Sequence, residues 1–182
     1  KVLNAAYFGV GQKRERIVIV GIKNGADIHF TYPTPDEHMT TLREALKDCP
    51  KSEGQQYSEK KRYYLEKVPA GGCWVDLPEE DQKVYMGKSY YSGGGKRGMA
   101  RRISWDEPCL TLTCSPSQKQ TERCHPDETR PFTVREYARI QSFPDSWEFS
   151  GGIGEKYKQI GNAVPVELAR RIGLELIKSI NG

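Results

Sequence analysis

The sequence predicts an α/β fold that carries a small, mostly β and loop-rich segment in its middle. The α/β part is indicated by a short run rich in β-branched residues at 16–21 and by an apolar residue at every fourth position of 168–180. Between residues 69 and 131, short apolar runs alternate with Gly-Gly, Pro and charged turns, which is typical of short strands rather than helices. The 182 residues are enough for one or two compact domains.

The first element expected is a strand at residues 16–21. Its sequence, Arg-Ile-Val-Ile-Val-Gly, shows no polar alternation, which indicates a strand buried on both faces of a helix-covered sheet. A short helix is expected over residues 40–46, with Thr40 or Thr41 as its N-cap. The composition turns highly polar over residues 51–67, so we place a domain boundary near Pro50.

The later elements are predicted from one strand pattern and two helix signals. Residues 110–113, Leu-Thr-Leu-Thr, are the clearest strand of the middle segment. Thr133 and Glu136 form a capping box, so a helix should begin there and end before Pro144. The final helix should begin near Pro165, and its apolar stripe requires a partner surface. That stripe comprises Leu168, Ile172, Leu176 and Ile180.

Positive charge is concentrated in one part of the chain. The net charge of +4 and the pI of about 8.7 are only a weak indication of a polyanionic partner. Residues 87–102, in contrast, hold five basic side chains and no acidic one, beside Tyr90, Tyr91 and three consecutive glycines. Such a loop suits either contact with phosphates or exposure to solvent, and both interpretations stay open. The basic residues are Lys88, Lys96, Arg97, Arg101 and Arg102.

The cellular compartment is inferred from the lack of a targeting signal in this sequence and from its cysteines. With neither a signal peptide nor an apolar run long enough to cross a membrane, we expect a cytoplasmic protein without a membrane partner. Lys1 is not a start methionine, so we expect an N-terminus that was cut, processed or incompletely observed. Five cysteines without a C-x-x-C pair fit a reducing compartment. Cys109, Cys114, Cys124 and His125 are close in sequence, but their spacing matches no standard zinc pattern, so no metal site is predicted.

Three blocks of sequence stand out by their order. Residues 12–16 read Gln-Lys-Arg-Glu-Arg, residues 130–145 read Arg-Pro-Phe-Thr-Val-Arg-Glu-Tyr-Ala-Arg-Ile-Gln-Ser-Phe-Pro-Asp, and residues 157–165 read Tyr-Lys-Gln-Ile-Gly-Asn-Ala-Val-Pro. In this order the blocks resemble the last three motifs of the DNA (cytosine-5) methyltransferase family. The resemblance covers nearly the whole chain, and it is strongest at the N-terminal block and over residues 130–173.

The resemblance implies the C-terminal part of a Rossmann-like, S-adenosylmethionine-dependent methyltransferase domain joined to a target-recognition domain. Residues 1–50 and 162–182 would belong to the catalytic domain, 51–145 to the target-recognition domain, and 146–161 to a hinge. The implied function is that of a bacterial DNA cytosine-5 methyltransferase from a restriction-modification system, nucleoid-associated when on DNA. Its partners would be double-stranded DNA and an N-terminal catalytic half, fused or separate. Two alternatives are a non-catalytic, sequence-specific DNA-binding module or specificity subunit, and a zinc-dependent nucleic-acid protein.

The resemblance also implies a reaction. Enzymes of this family flip a cytosine out of the duplex and attack its C6 with a cysteine thiolate, while a glutamate assists at N3 and S-adenosylmethionine supplies the methyl group. Arg16 would contact O2 of the flipped cytosine and the adjacent phosphate, where a fixed cation stabilises the developing charge, with Arg14 as a supporting group. For both arginines the alternative is an ion pair at a strand edge, with Glu15 as one partner.

The chemical half of such an enzyme is not found in this sequence. The family's Pro-Cys-Gln and Glu-Asn-Val motifs and its glycine-rich cofactor loop are absent. Cys109 follows a proline, but it stands far downstream of the Gln-Lys-Arg-Glu-Arg block and precedes Leu110, so it is expected to be a core residue. The chain alone is therefore expected to be inactive.

The binding residues are likewise implied by the resemblance. Arg101 falls at the position of a guanine-reading arginine, with Arg102 as the alternative, and Thr111 would contact a phosphate. Asn162 and the Ala163 amide would border the methionine end of S-adenosylmethionine, unless Asn162 is only a helix cap. The expected DNA-binding residues are Lys96, Arg97, Arg101, Arg102, Thr111, Gln118, Lys119 and Arg123. The expected cofactor-binding residues are Asn162, Ala163 and Val164.

Four further polar residues are expected to be structural. Arg135, Glu136 and Arg139 would form internal hydrogen bonds that hold the recognition domain in shape. His125 is assigned no proton-transfer role. All four are therefore left out of the predicted site.

Overall fold

The computed structural model describes residues 1–92 and 98–181. Its strands are short: β1 Val2–Asn4, β2 Gln12–Lys13, β3 Glu15–Ile17 and β4 Cys109–Leu110. Its α-helices are α1 Leu42–Ala45, α2 Glu59–Leu65, α3 Glu79–Met86, α4 Val134–Ile140, α5 Ile153–Asn162 and α6 Val166–Asn181. None of these helices is long and apolar enough to cross a membrane.

The strands form two separate two-stranded ladders. β1 pairs antiparallel with β3, with Leu3 opposite Arg16. β2 pairs in parallel with β4, with Lys13 opposite Leu110. Only Arg14 separates β2 from β3, so the Gln-Lys-Arg-Glu-Arg block passes directly from one ladder to the other.

Three hydrophobic clusters hold the described elements together. The largest packs α1, α4 and α5 against the segment around β4 and contains the fully buried Tyr137 and Tyr157. A second cluster lies between α2 and α3. The third joins the N-terminal segment to α6 through Phe8 and Leu168. Leu3 of β1 belongs to the third cluster and Cys109 of β4 to the largest, so each ladder is anchored to one of these cores.

The segment boundaries expected from the sequence do not coincide with these clusters. Leu42, Tyr137 and Ile160 come from three different expected segments, yet they belong to the same hydrophobic cluster. Side chains that share one core depend on one another for burial. The division at residues 50, 145 and 161 therefore remains a proposal.

The buried strand expected at residues 16–21 is a wrong prediction for this chain. β3 ends at Ile17, and no strand continues after it. Ile17 is 73% exposed and Ile19 is 86% exposed. A run of β-branched residues becomes a buried strand only where other elements cover both of its faces. Here Val18 packs against the third cluster, whereas the described residues leave the side chains of Ile17 and Ile19 largely uncovered.

The expectation of a mostly β middle segment is also wrong. Both α2 and α3 lie there, and α2 begins after Ser58, whose hydroxyl accepts a hydrogen bond from the Lys61 amide. Leu65 of α2 and Met86 of α3 pack in the same cluster. The short apolar runs of this segment are the buried faces of short helices, and the strand expected at residues 110–113 is limited to β4.

The two helix starts predicted from threonine caps are confirmed. The Thr41 hydroxyl accepts from the Glu44 amide, and the Glu44 carboxylate accepts from the Thr41 amide at 2.7 Å. Thr133 and Glu136 make the same exchange at the start of α4, which ends before Pro144 as expected. Local hydrogen bonds within four residues are enough to determine where these helices begin.

α5 is a helix that the sequence analysis missed. It occupies most of the expected hinge, and its Tyr157 and Ile160 are fully buried. The Tyr157 hydroxyl donates to the Phe132 carbonyl at 2.7 Å. Glycines at positions 154 and 161 lower the helix propensity of this stretch, which is why local sequence did not indicate a helix.

Candidate nucleic-acid interface

The Gln-Lys-Arg-Glu-Arg block fastens the segment around β4 to the N-terminal segment. Gln12 is fully buried, and its Oε1 accepts a hydrogen bond from the Leu112 amide at 3.0 Å. Thr111 donates its hydroxyl hydrogen to the Lys13 carbonyl at 2.6 Å. Together with the pairing of β2 and β4, these contacts hold the block and the strand in one arrangement.

Arg14 is buried and connects this strand to the turn after α5. Its guanidinium donates to the carbonyl oxygens of Leu112 at 3.1 Å, Gly161 at 3.0 Å and Ala163 at 3.3 Å. Burial lowers the pKa of Arg14, and the nearby charge of Arg16 lowers it further. Arg14 therefore supports the site indirectly, by positioning two backbone segments.

Arg16 has a different environment from Arg14. It is only partly buried, and its Nη1 donates to the carbonyl of its neighbour Glu15 at 2.6 Å. Neither arginine forms an ion pair with the Glu15 carboxylate in the described part of the chain, so the strand-edge ion pair is not observed. In the part of the chain that the structure describes, the other N–H groups of Arg16 have no hydrogen-bond partner and are available to a ligand.

A basic cleft of about 440 Å³ lies beside the paired strands β2 and β4. Among the described residues, three cationic side chains line the cleft and no acidic side chain does, which favours a phosphate or the acceptor edge of a base. Lys13 is a lining residue that the sequence analysis missed, although it stands inside the recognised block. The lining residues are Lys13, Gly98, Arg101, Leu110, Thr111 and Arg123.

The Arg101 side chain is largely buried but has few polar partners among the described residues. Its guanidinium lies 4.0 Å from the Glu107 carboxylate, at the outer limit of an ion pair. Its buried Nε has no hydrogen-bond partner among the described residues. A guanidinium with so little internal engagement keeps donors for a base edge, which agrees with the role implied for it.

Arg123 belongs to the same cleft but is buried. It donates to the carbonyls of Glu122 at 2.7 Å and Thr111 at 3.1 Å. Burial lowers the pKa of Arg123. Arg101, Thr111 and Arg123 are thus the expected DNA-binding residues that the structure brings together.

Arg102 is not placed to bind DNA, contrary to expectation. It is buried and makes five hydrogen bonds, which use all the N–H groups of a guanidinium. Buried carbonyls of the surrounding loops require donors, and Arg102 supplies them. Its partners are the carbonyls of Leu65, Val68, His125 and Pro126 and the hydroxyl of Thr129.

The other expected DNA contacts lie away from the cleft or cannot be placed. Gln118 is exposed. Lys119 donates to the Tyr85 carbonyl at 2.5 Å, and its ammonium lies 4.9 Å from the centre of the Tyr85 ring. Lys96 and Arg97 lie outside the described residues. Their contact with DNA remains an expectation.

Gly161 brings the end of α5 against the residues that follow β4. A Cβ atom at this position would stand 2.5 Å from the Thr113 carbonyl oxygen, so this close approach requires a glycine. Asn162 is exposed, and its Oδ1 accepts from the Cys114 thiol at 3.0 Å. Asn162 is the last residue within α5, and the C-cap is Ala163, so the alternative that Asn162 is only a helix cap is wrong.

The turn expected to meet the cofactor offers fewer donors than the resemblance implies. The Ala163 amide donates to the Ile160 carbonyl at 3.2 Å as α5 ends, so it is not an open donor. Val164 is 55% exposed. The side-chain amide of Asn162 and the surface of Val164 remain for contact with a ligand.

Cys109 and His125 are both packed in the interior of the protein. Cys109 is fully buried in the largest cluster, as expected, and burial raises the pKa of its thiol to about 12, which suppresses the nucleophilic thiolate. The His125 ring packs edge-on against Trp105 and Phe132. Within residues 1–92 and 98–181, no group of three or more His, Cys, Asp or Glu residues is arranged to hold a metal ion.

The residues expected to be scaffold do form internal contacts. These contacts join α4 to the loops on either side of it and leave the residues no role in the cleft. The pairs are Arg135 with the carbonyls of Pro144 and Trp147, Arg139 with the Asp145 carboxylate, and Glu136 with Arg130.

The anchored block, the basic cleft and the glycine-dependent turn agree with one class of protein. A model of the family described as C-5 cytosine-specific DNA methylase matches residues 1–178. The chain belongs to this C-5 cytosine-specific DNA methylase family.

Its individual relatives are Type II methyltransferases. The chain is 64% identical, over 99% of its length, to the Type II methyltransferase M.Sau96I of Staphylococcus aureus. It is 58% identical, over 97% of its length, to the Type II methyltransferase M.Eco47II of Escherichia coli. The chain spans 43% and 45% of the lengths of these two relatives, which is less than half of each.

A solved structure supports the fold. The crystal structure of a protein described as a DNA modification methyltransferase encoded within an Escherichia coli prophage aligns with 100% of this chain and 60% of its own, with a TM-score of 0.65 and 20% identity. The α/β class expected from the sequence is therefore supported. Its finer division into a Rossmann-like part and a recognition part remains a proposal.

Proposed function

We propose that the chain is the DNA-reading, C-terminal portion of a bacterial DNA cytosine-5 methyltransferase from a restriction-modification system. It reads a short duplex site and helps to hold the flipped cytosine. An N-terminal half, fused or separate, supplies the nucleophilic cysteine, the catalytic glutamate and the cofactor loop. The observation that carries this proposal is the basic cleft, because it joins Lys13 of the recognised block to Arg101 and Arg123 from the middle of the chain.

In this proposal the cleft binds the DNA around the target cytosine. Lys13 and Arg123 supply positive charge for the phosphates, and such contacts make affinity dependent on salt. Arg101 presents a planar fork to a guanine edge in the major groove. Thr111 uses its hydroxyl hydrogen internally, so it accepts rather than donates in any further hydrogen bond.

The two arginines of the block have different roles toward the flipped cytosine: Arg14 positions the surrounding backbone, and Arg16 contacts the base. Arg14 holds the segment after β4 and the C-terminal end of α5 in place through three carbonyl oxygens. Arg16, with its remaining donors available, contacts O2 of the flipped base. Attack on C6 moves electron density toward O2 and N3, and a cation already in position stabilises that charge without reorganisation.

An exposed apolar surface is the proposed contact with the N-terminal half. It combines the run after β3 with the outer face of α6, and a groove of about 170 Å³ lies between them. Exposed apolar patches of this kind mark surfaces that another element covers. Covered in this way, residues 16–21 become the buried strand that their sequence favours. The exposed side chains are Val2, Ile17, Ile19, Ile22, Leu174, Leu176, Ile177 and Ile180.

S-adenosylmethionine is the proposed source of the methyl group. The exposed side-chain amide of Asn162 suits the cofactor's carboxylate, and the exposed Val164 suits its apolar part. The Ala163 amide, engaged within the helix end, does not take part. The fit is partial, which agrees with a cofactor held mainly by the N-terminal half.

The first test separates an enzyme portion from a DNA-binding module. We define the chimera as M.Sau96I in which this chain replaces the segment to which it aligns. The chain alone is expected to transfer no methyl group from labelled S-adenosylmethionine to DNA, because it lacks the nucleophile, whereas the chimera is expected to transfer it. Labelled DNA from the chain alone would contradict the proposal. A folded chimera that binds DNA without methylating it would favour the module or specificity subunit.

The second test concerns base reading by Arg101. Arg101→Ala in the chimera is expected to relax discrimination at one base pair by about 1–3 kcal/mol, because a bidentate contact is lost. Lys13→Ala is the matched control, since a phosphate contact weakens binding to all sequences alike. Both are measured by binding isotherms on DNA duplexes that differ at single positions of the methylated site. Equal losses on every duplex would remove Arg101 from the base-reading residues.

A further inference from the structure

Glu122 is a fully buried carboxylate directly before the cleft residue Arg123. Its Oε2 accepts from the Tyr85 hydroxyl at 2.5 Å and from the Ala100 amide at 2.7 Å. Its Oε1 lies 2.5 Å from the Lys61 ammonium. Two hydrogen-bond donors and one ammonium, from three separate segments, surround this charge, which offsets the cost of removing it from water.

The contact with Ala100 bears directly on Arg101. Ala100 has φ +47°, in the left-handed region that residues other than glycine rarely adopt. Two residues earlier, the Gly98 carbonyl accepts from the Glu122 amide at 3.1 Å, and a Cβ at Gly98 would stand 2.6 Å from the Gln120 carbonyl oxygen. Backbone and side chain of Glu122 thus hold the segment that leads into Arg101.

We propose that Glu122 is a positioning residue for sequence recognition, holding the backbone at Ala100 so that Arg101 enters the cleft at a defined place. The inference rests on the proposed function, in which Arg101 reads a base. Among the described residues Arg101 has few polar partners, so the position of its guanidinium is set by its backbone and by the packing of its largely buried side chain. A bidentate contact needs both hydrogen bonds in line and is lost when the backbone shifts.

The experiment uses the chimera in cells that lack other cytosine-5 methylation, followed by bisulfite sequencing of their genomic DNA. This readout gives the methylated site and its tolerance at each position, whatever the target sequence is. Arg101→Ala is expected to relax discrimination at one base pair by about tenfold or more. Glu122→Ala is expected to relax the same base pair, and the double substitution to relax it no further, because both act through one contact.

Two milder variants keep the test informative if Glu122→Ala does not fold. Glu122→Gln keeps an oxygen that can accept from the Ala100 amide, so it is expected to retain discrimination despite losing the ion pair with Lys61. Tyr85→Phe removes one donor to Glu122 while keeping the ring, and it is expected to relax the same base pair partially. It replaces Glu122→Ala in the test if the alanine variant does not fold.

Asp81→Asn is the matched control. Asp81 is also a buried carboxylate, paired with Lys67 at 2.5 Å, and it lies in α3 without a hydrogen bond to residues 98–101 in the described part of the chain. This variant is expected to lower the unfolding midpoint and to leave discrimination unchanged. Relaxed discrimination in Asp81→Asn would show a general effect of destabilisation and would overturn the role of Glu122.

The remaining outcomes distinguish this inference from the function on which it rests. If Arg101→Ala relaxes one base pair but Glu122→Ala does not, the positioning role is overturned and the proposed function stands. The same holds if Tyr85→Phe, used in its place, leaves discrimination unchanged. If Arg101→Ala itself leaves discrimination unchanged, base reading by Arg101 is overturned, and the role of Glu122 with it.

Discussion

Arg16→Ala in the chimera is expected to lower the single-turnover methylation rate at saturating DNA about a hundredfold, with a much smaller loss of DNA affinity. The charge that Arg16 stabilises appears only during attack on the cytosine ring, so its removal affects the transition state more than the bound state. Arg16 is only partly buried and hydrogen-bonds the carbonyl of its neighbour, so the fold is expected to be preserved. Rate and binding isotherm are measured on the same preparation.

Arg16→Lys serves as the companion variant. It is expected to restore only part of the rate, because an ammonium cannot reproduce a planar two-pronged contact with O2 and phosphate. A variant with an unchanged rate and weaker binding would reduce Arg16 to a phosphate contact. The non-catalytic DNA-binding module would then become the better interpretation of the chain.

Arg14→Ala is expected to affect stability instead, lowering the free energy of unfolding of the chimera by about 3 kcal/mol. Three carbonyl oxygens, those of Leu112, Gly161 and Ala163, would lose their charged donor. Leaving a buried acceptor unsatisfied costs its full desolvation, whereas the lost charge itself was already unfavourable to bury. The measurement is the urea midpoint at constant slope.

Arg16→Ala is the matched control for this second prediction. The same substitution two residues away removes a partly exposed side chain, and its effect on stability is expected to stay within about 0.5 kcal/mol. Arg14→Lys should fall between alanine and the native residue, since an ammonium reaches fewer carbonyls. If Arg14→Ala and Arg16→Ala shift the urea midpoint equally, the positioning role of Arg14 is contradicted.

Several parts of the fold were predictable because their causes are local. The N-caps Thr41 and Thr133 exchange hydrogen bonds with the glutamate three residues later, so both partners lie within a four-residue stretch of sequence. The apolar stripe of α6 follows from helical periodicity in the same way. The resemblance of three ordered blocks to one family was also present in the sequence, and a match over residues 1–178 confirms it.

The wrong predictions concern elements whose secondary structure depends on burial by distant parts of the chain. A β-branched run at residues 16–21 predicts a covered strand, yet its exposure depends on what packs against it. The middle segment forms helices because α2 and α3 can be buried in one cluster, where the Tyr64 and Tyr85 rings lie 5.2 Å apart, and this contact joins residues distant in sequence. Local patterns do not specify such partners.

By itself, the sequence determined the family, the capped helices and the block that carries Arg14 and Arg16. Only the tertiary structure decided that Arg14 is buried among carbonyls while Arg16 keeps open donors, and that Arg102 is internal while Arg101 lines the cleft. Neighbouring residues of the same type carry the same sequence signal. Their roles differ because burial and hydrogen-bond partners come from segments far away along the chain, as the contact of Arg14 with Gly161 illustrates.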